Sequence, residues 1–451
     1  MTLDELRAAV SGTVLEPADP GFPGELLGFN LYYVNTPDLV VGAASVDDVA
    51  AAVRYADEHD LPVTVLATGH GAHGAIAAGL VITLRRLDAV AVDPRSRTAT
   101  VAGGARWAAV VEAAAHHGLA PITGSSTNVG ATGFLLGGGL GPLARSHGVG
   151  SDHVRSFTVV TADGSVVVAD RDSEPELFWA LRGGKGGFGV VVETTIGLLD
   201  LPAVYAGSVV FGESDIDAVL RGWIDWTRTA DARATTSVQL VRFPPLEQVP
   251  APMRGRTLLM LRFAFPGSAE EGERLAAPLL ALGTPEFGGL GMLPAERIAE
   301  IHQDPTEPGP GWGVGMLLND LDGGFADVLL AHAGPSARSP FMAAEVRQLG
   351  GATAVDVPEG SAVGGRASGY ALHIVGAPDP SLFETVLPAA AEAFATQVAP
   401  WASPETTINW VSGSTYEEFA KAWPAETFAR LAELRRQWDP RGRFPYGPAK
   451  P

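Results

Sequence analysis

Residues 121–144 read PITGSSTNVGATGFLLGGGLGPLA and residues 62–83 read PVTVLATGHGAHGAIAAGLVIT, and neither stretch contains a Lys, Arg, Asp or Glu. Glycine takes positive φ and lets other atoms come close to the backbone. Successive N–H groups can therefore converge into an anion-holding concavity that needs no side-chain charge. Such a nest can hold a diphosphate in a chain with 51 acidic residues against 31 Lys plus Arg, because oriented dipoles at hydrogen-bond range outweigh a distant, screened field. The competing reading is of tight turns packed beneath helices.

Outward from these two stretches, Asp38 to Leu66 predicts strand, helix, strand. DLVVGAA is short and apolar, Ser45 with Asp48 three residues later resembles a helix cap, and Val49, Ala52, Val53 and Ala56 keep helical spacing. AVAVDPRSRTATVAGGA reads as a hairpin, RWAAVVEAAAHHG as a helix ending at Gly118, and FTVVTADGSVVVA as a hairpin turning at Asp163-Gly164. Beyond Pro202 the texture changes: GSVVF, TTSVQLVRF, TLLMLRFAF and ASGYALHIVG predict long strands, and EEGERLAAPLLALG and PSLFETVLPAAAEAFATQV predict helices. That pattern is a separate sheet-plus-helix unit, so the fold class is α+β. The segment Thr415 to Trp438 predicts an amphipathic helix stopped by Asp439-Pro440.

A length of 451 residues allows two or three domains. The net charge of −20 disfavours nucleic acid and anionic lipid as partners. With no cysteine, disulfides, iron–sulfur clusters, thiolate zinc sites and a thiol nucleophile are excluded. The N-terminal stretch has no signal-peptide-like apolar run and nothing is long enough to span a bilayer, so a cytoplasmic monomer or homodimer is the expectation.

Other glycine motifs fail on context. GKGGFG at 184–189 and GLGPLA at 139–144 fit the dinucleotide pattern formally. The first, however, follows a helix and enters a strand, and the second enters a loop, whereas that turn needs strand before and helix after. No P-loop pattern occurs. His70 and His73 have a ligand-like spacing, but the glycines around them exclude a helix and no carboxylate completes a set, so no metal site is expected.

PVTVLATGHGAHG, GSSTNVGATGFLLGGGLG, SDHVRSFTVVTADG, LFWALRGGKGGFGVV and LAELRRQWDPRGRF follow one another in this order. In order and spacing the chain resembles the berberine-bridge-enzyme-like FAD-linked oxidoreductases of the vanillyl-alcohol-oxidase superfamily. The resemblance is strong over about residues 35–200 and weak over 205–400. It implies a PCMH-type, two-subdomain FAD-binding domain over 1–204, a substrate domain over 205–400 with an antiparallel sheet backed by helices, and a segment 401–451 returning to the FAD domain.

By the same resemblance, Ala67, Thr68, Gly69, His70, Gly71 and Gly74 correspond to the first pyrophosphate loop, and His70 to the histidine that bonds covalently to the flavin. Ser126, Thr127, Val129, Gly130 and Gly133 correspond to the second loop, which Gly137 and Gly138 continue. Val191 would meet the adenine side through its backbone, and Asn409 in TINW would stand on a strand beside the flavin. Ser126 occupies the position of the family's second anchor, a cysteine, so a cysteinyl link is impossible. Thr407 replaces the usual tyrosine, Gly187 the usual asparagine, and the chain closes FPYGPAKP rather than in the family's asparagine-containing form.

The implied reaction is hydride transfer from a small organic substrate, a secondary metabolite or a carbohydrate, to flavin N5, with molecular oxygen as acceptor and a base from the middle sheet. Tyr370 and His373 are the base candidates; they fall on opposite faces of one strand, so a regular strand turns only one of them to the flavin. The alternatives are a dehydrogenase using another acceptor and a flavin-retaining binding protein without catalysis.

Overall fold

The computed structural model describes residues 1–410 and 419–445. Four short strands, β1 (Thr13–Leu15), β2 (Leu39–Gly42), β3 (Val63–Leu66) and β4 (Leu80–Thr83), form a sheet in the order β1-β2-β4-β3. β2 and β3 both run parallel to β4, so the strand–helix–strand expectation holds with a third strand between its two ends. The crossover helix Val46–Glu58 is capped by the Ser45 hydroxyl, which accepts from the Asp48 N–H. The Asp48 carboxylate in turn accepts from the N–H groups of Ser11, Gly12 and Ala44, tying helix to sheet.

β5 (Val90–Asp93), β6 (Thr98–Ala102), β8 (Val154–Val160), β9 (Val166–Asp170) and β10 (Val190–Gly197) make an antiparallel sheet ordered β5-β6-β10-β8-β9, with β7 (Leu119–Ala120) and β11 (Leu199–Asp200) paired apart from it. Both expected hairpins are here. Trp107 and Val110, from the helix Trp107–Ala115, pack against Val101, Phe157 and Val191 of this sheet.

The middle of the chain builds a seven-stranded antiparallel sheet from β12 (Ala203–Phe211), β13 (Thr235–Arg242), β14 (Thr257–Phe265), β15 (Pro285–Pro294), β16 (Gly313–Leu318), β17 (Phe341–Gln348) and β18 (Tyr370–Gly376), ordered β15-β12-β14-β13-β17-β18-β16. One face is apolar: Val209, Val238, Leu261, Val346 and Leu372 pack under the helices Ile216–Thr227, Ala269–Leu280, Gly323–Ala333 and Val386–Val398. The opposite face is mixed: Ser237, Arg262, Glu345, Arg347 and His373 lie on it beside apolar patches at Val204, Ala206 and Ala264 and at Leu317 and Ala371. Mixed helices and sheets with this antiparallel layer agree with the α+β expectation.

Two local expectations need correcting. Residues 408–410 form a single 3-10 turn rather than a strand, with the Trp410 N–H bonded to the Thr407 carbonyl. The C-terminal helix spans Ala425–Trp438, with Pro424 just before it and Asp439 at its end. Residues 415–418 of the expected helix and the chain close beyond residue 445 lie outside the described residues. Among the described residues no helix is long and apolar enough to cross a membrane.

Candidate functional site

The first glycine stretch leaves β3 and turns at Gly69, whose φ of +71° suits glycine, and a Cβ there would stand 2.6 Å from the Gly28 Cα. This close approach brings the Phe29 N–H to the Thr68 carbonyl at 2.8 Å and lays the Phe29 ring flat on His70, with centroids 3.9 Å apart at 13°. Thr68 Oγ1 meets His70 Nδ1 at 2.9 Å, while His70 Nε2 is buried without a partner. Burial first, and the Arg106 charge second, pull the imidazole pKa down to about 4, so it is neutral at pH 7.

The second stretch meets the first at one hydroxyl. Thr68 Oγ1 also accepts the Gly130 N–H at 3.3 Å, across 62 residues of sequence, and a Cβ on Gly130 would stand 3.2 Å from the Thr68 methyl. The helix Trp107–Ala115 holds this loop from behind through the Thr127 and Val129 carbonyls, which accept from Ala108 and Trp107. Ser126 Oγ accepts from the Asn128 N–H. Among the described residues, the N–H groups of Gly69, His70, Gly71 and Gly74 and those of Ser125, Ser126, Thr127 and Val129 donate to no protein acceptor. Unpaired donors gathered on two touching loops suit an acceptor-rich ligand.

Past these loops comes the helix Ala131–Leu136, on which Gly133 is exposed, and then Gly137 and Gly138, the latter at φ +90°. Asn409 closes this end: its Nδ2 donates to the Phe134 carbonyl at 3.1 Å, and its Oδ1 sits 1.9 Å from where a Cβ on Gly137 would be. Lys185, not singled out from the sequence, reaches Asn409 Oδ1 at 2.7 Å and the Gly133 carbonyl at 3.2 Å. Burial lowers its pKa to about 8. The signal was present in GKGGFG, where a lysine takes φ +68° in a glycine turn. Val191 is buried in β10 opposite Val159, with its carbonyl turned to Gly103, where a Cβ would stand 2.6 Å from that oxygen. Among the described residues no cluster of three His, Asp or Glu could hold a metal.

Facing the loops is the polar side of the seven-stranded sheet. Glu345 of β17 accepts from Ser237 at 2.9 Å, Arg262 at 3.1 Å and Arg347 at 2.7 Å, with His302 Nε2 3.5 Å away. Burial opposes its charge, but the Arg347 and Arg262 charges and the His302 contact hold its carboxyl well below the usual range. Arg347 reaches across to Ser125 Oγ at 3.5 Å and lies over the Trp410 ring. His373, stacked on Trp410 with centroids 5.4 Å apart, is on this face, and burial with Arg347 lowers its pKa to about 4. Tyr370 is on the other face, packed with Trp223 under the helices, its hydroxyl 2.6 Å from Thr227 Oγ1. The structure thus brings His373 toward the glycine loops and takes Tyr370 away from them.

Residues 37–170 match the FAD binding domain family. The (R)-6-hydroxynicotine oxidase of Paenarthrobacter nicotinovorans is 35% identical over 209 residues, 46% of each chain, so the match spans about half of that relative's length. In structure, 6-hydroxy-D-nicotine oxidase from Arthrobacter nicotinovorans superposes with TM-score 0.85 over the whole of both chains at 23% identity. Glucooligosaccharide oxidase from Acremonium strictum, described with a 6-S-cysteinyl, 8α-N1-histidyl FAD, gives 0.81 over 98% of each at 20% identity. These likenesses show the fold.

Proposed function

We propose, from the FAD binding domain over residues 37–170, that the chain is an FAD-dependent oxidase acting on a small organic substrate, with the flavin attached through His70. The observation that carries this reading is the Thr68 hydroxyl, which joins the two glycine loops and orients the imidazole between them. The fit is chemical: two touching sets of free N–H donors suit a diphosphate, and a neutral imidazole with an orphaned nitrogen suits a bond to the ring's methyl carbon. The sequence contains no cysteine, so a second, cysteinyl link is impossible, and Ser126 stands in its place.

When bound, FAD supplies a two-electron acceptor for hydride. The protein's own part is to hold, orient and deprotonate. The main chain at 69–74 and 125–129 would hold the diphosphate, and Asn409, fixed by Lys185 and the Phe134 carbonyl, would keep its place at the far end of the loop. His373 is the base we favour over Tyr370, because it lies on the face opposite the loops and is neutral. So weak a base takes its proton as the hydride leaves, when that proton has become acidic. Glu345 is unsuited: its oxygens already serve Ser237 and two arginines.

The test is optical. Purified protein should be yellow, stay yellow after acid precipitation and washing, and release its flavin as His70→Ala. Bleaching under anaerobic substrate and oxygen uptake on readmission separate an oxidase from a dehydrogenase or a carrier. A colourless preparation that takes up no FAD would overturn the reading.

A further inference from the structure

The crevice between the seven-stranded sheet and the loop after Gly139 is lined by Leu140, Pro142, Ser237, Arg262, His302 and Arg347. Its charges do not balance locally. Two arginines share one carboxylate, and both oxygens of Glu345 are engaged, Oε1 by Ser237 and Arg262 and Oε2 by Arg347. Arg262 has both Nη atoms engaged, donating also to Gln239 Oε1 at 2.6 Å and to the His302 carbonyl at 3.3 Å, and only its Nε lacks an acceptor. Arg347 is satisfied less. Only its Nη2 is used, and its Nε is buried with no acceptor. The other acid whose field reaches both arginines is Asp304, half-buried and bonded to neither. His302 and His373 contribute no charge at neutral pH. A largely buried guanidinium with unused N–H groups is suited to a second anionic oxygen.

Resting on the flavin-enzyme reading above, we infer that the substrate carries a carboxylate, and that Arg347 captures it while the guanidinium stays fixed over Trp410. Arg347 stands between the flavin loop, through Ser125, and the base candidate His373, through their shared neighbour Trp410. An anion bound there sets the substrate's remaining atoms between loop and imidazole. Arg347 is then the specificity-determining residue, and the substrates are small organic acids rather than neutral sugars.

The experiment is calorimetric titration of the purified holoenzyme at pH 7.5 with benzoate and with benzamide, a pair that differs in charge but hardly in shape, with flavin absorbance recorded separately. Benzoate should bind at least tenfold more tightly. Arg347→Met should erase that preference at an unchanged flavin-to-protein ratio, and Arg347→Lys should keep part of it. Equal binding of the two probes, or no binding of either, overturns the inference. So does a preference that survives in Arg347→Met, or loss of flavin from that variant, which would assign the guanidinium to the coenzyme. If Arg347→Met does not fold, the wild-type probe pair decides alone. A colourless wild-type protein that still prefers benzoate supports the carboxylate site and overturns the flavin reading instead.

Discussion

Thr68 carries two contacts on one oxygen, from the Gly130 N–H and to His70 Nδ1, and so couples the glycine loops to the imidazole. Thr68→Val keeps the shape and removes both bonds, leaving a buried N–H unpaired. The expected loss is about 1–3 kcal/mol, read as a lower urea midpoint, together with a smaller flavin fraction surviving acid precipitation; Thr68→Ser should restore both. An unchanged midpoint and flavin fraction in Thr68→Val would refute the coupling. The buried histidines give a second prediction. His70, His302 and His373 all have pKa values lowered from 6.5 to about 4, chiefly by burial. Between these limits the unfolded chain binds protons that the folded one refuses, so stability is full above pH 6.5 and falls as pH drops toward 4. The slope is at most about 1.4 kcal/mol per pH unit for each histidine, and smaller for the half-buried His70. Urea midpoints at pH 7.5 and 5 that coincide would show these rings to be charged or exposed.

At the scale of elements, what the sequence disclosed and what it hid divide by how each strand meets its neighbours. β13, β14 and β18 read clearly because their helix-facing residues alternate, as Val238, Leu261 and Leu372 do. The edge strand β15, with three glycines in PEFGGLGMLP, offers no alternation, and β16 lies at the other edge. β17 is central yet shows no apolar alternation in the sequence, because its polar face carries two charges, Glu345 buried and Arg347 largely so. The same substitution of charge for grease that hid the strand marks the candidate site. The glycine loops were legible because backbone donors leave a compositional trace, whereas the pairing of Arg262, His302 and Glu345 depends on contacts far apart in sequence. Removing the shared carboxylate should therefore be severe. Glu345→Ala leaves two buried arginines facing one another, at a cost of about 3–5 kcal/mol, measurable as a drop in urea midpoint. Glu345→Ala with Arg262→Met should recover part of it, and no recovery would mean that the glutamate supports the sheet by packing rather than charge.

For the whole molecule, the decisive connection is the return of the chain end to the first two sheets. Trp423 donates to the Gly183 carbonyl at 3.1 Å, Leu431 and Leu434 join the core around Trp107 and Phe157, and Arg430 pairs with Glu176. Farther on, the Arg443 carbonyl accepts the Val63 N–H at 2.6 Å, Arg443 pairs with Asp57 and Asp60, and Phe444 packs beside Val41 and Val49. These contacts hold β3 just before Ala67, so the tail supports the first glycine loop from below. The seven-stranded sheet, by contrast, closes its apolar face with helices drawn from residues between 205 and 401. Ending the chain after Trp423 would uncover the sites of Leu431, Leu434 and Phe444, each fully buried and contributing about 1.5–3 kcal/mol, a sum comparable to the stability of a whole domain. The truncated chain should fail to retain flavin, and hydrogen exchange should accelerate in β2, β3 and β4 while β13, β14 and β17 stay protected. Equal loss of protection in both sheets would mean that the two units fold as one. Unchanged protection in β3 with flavin retained would show that the first loop stands without its support.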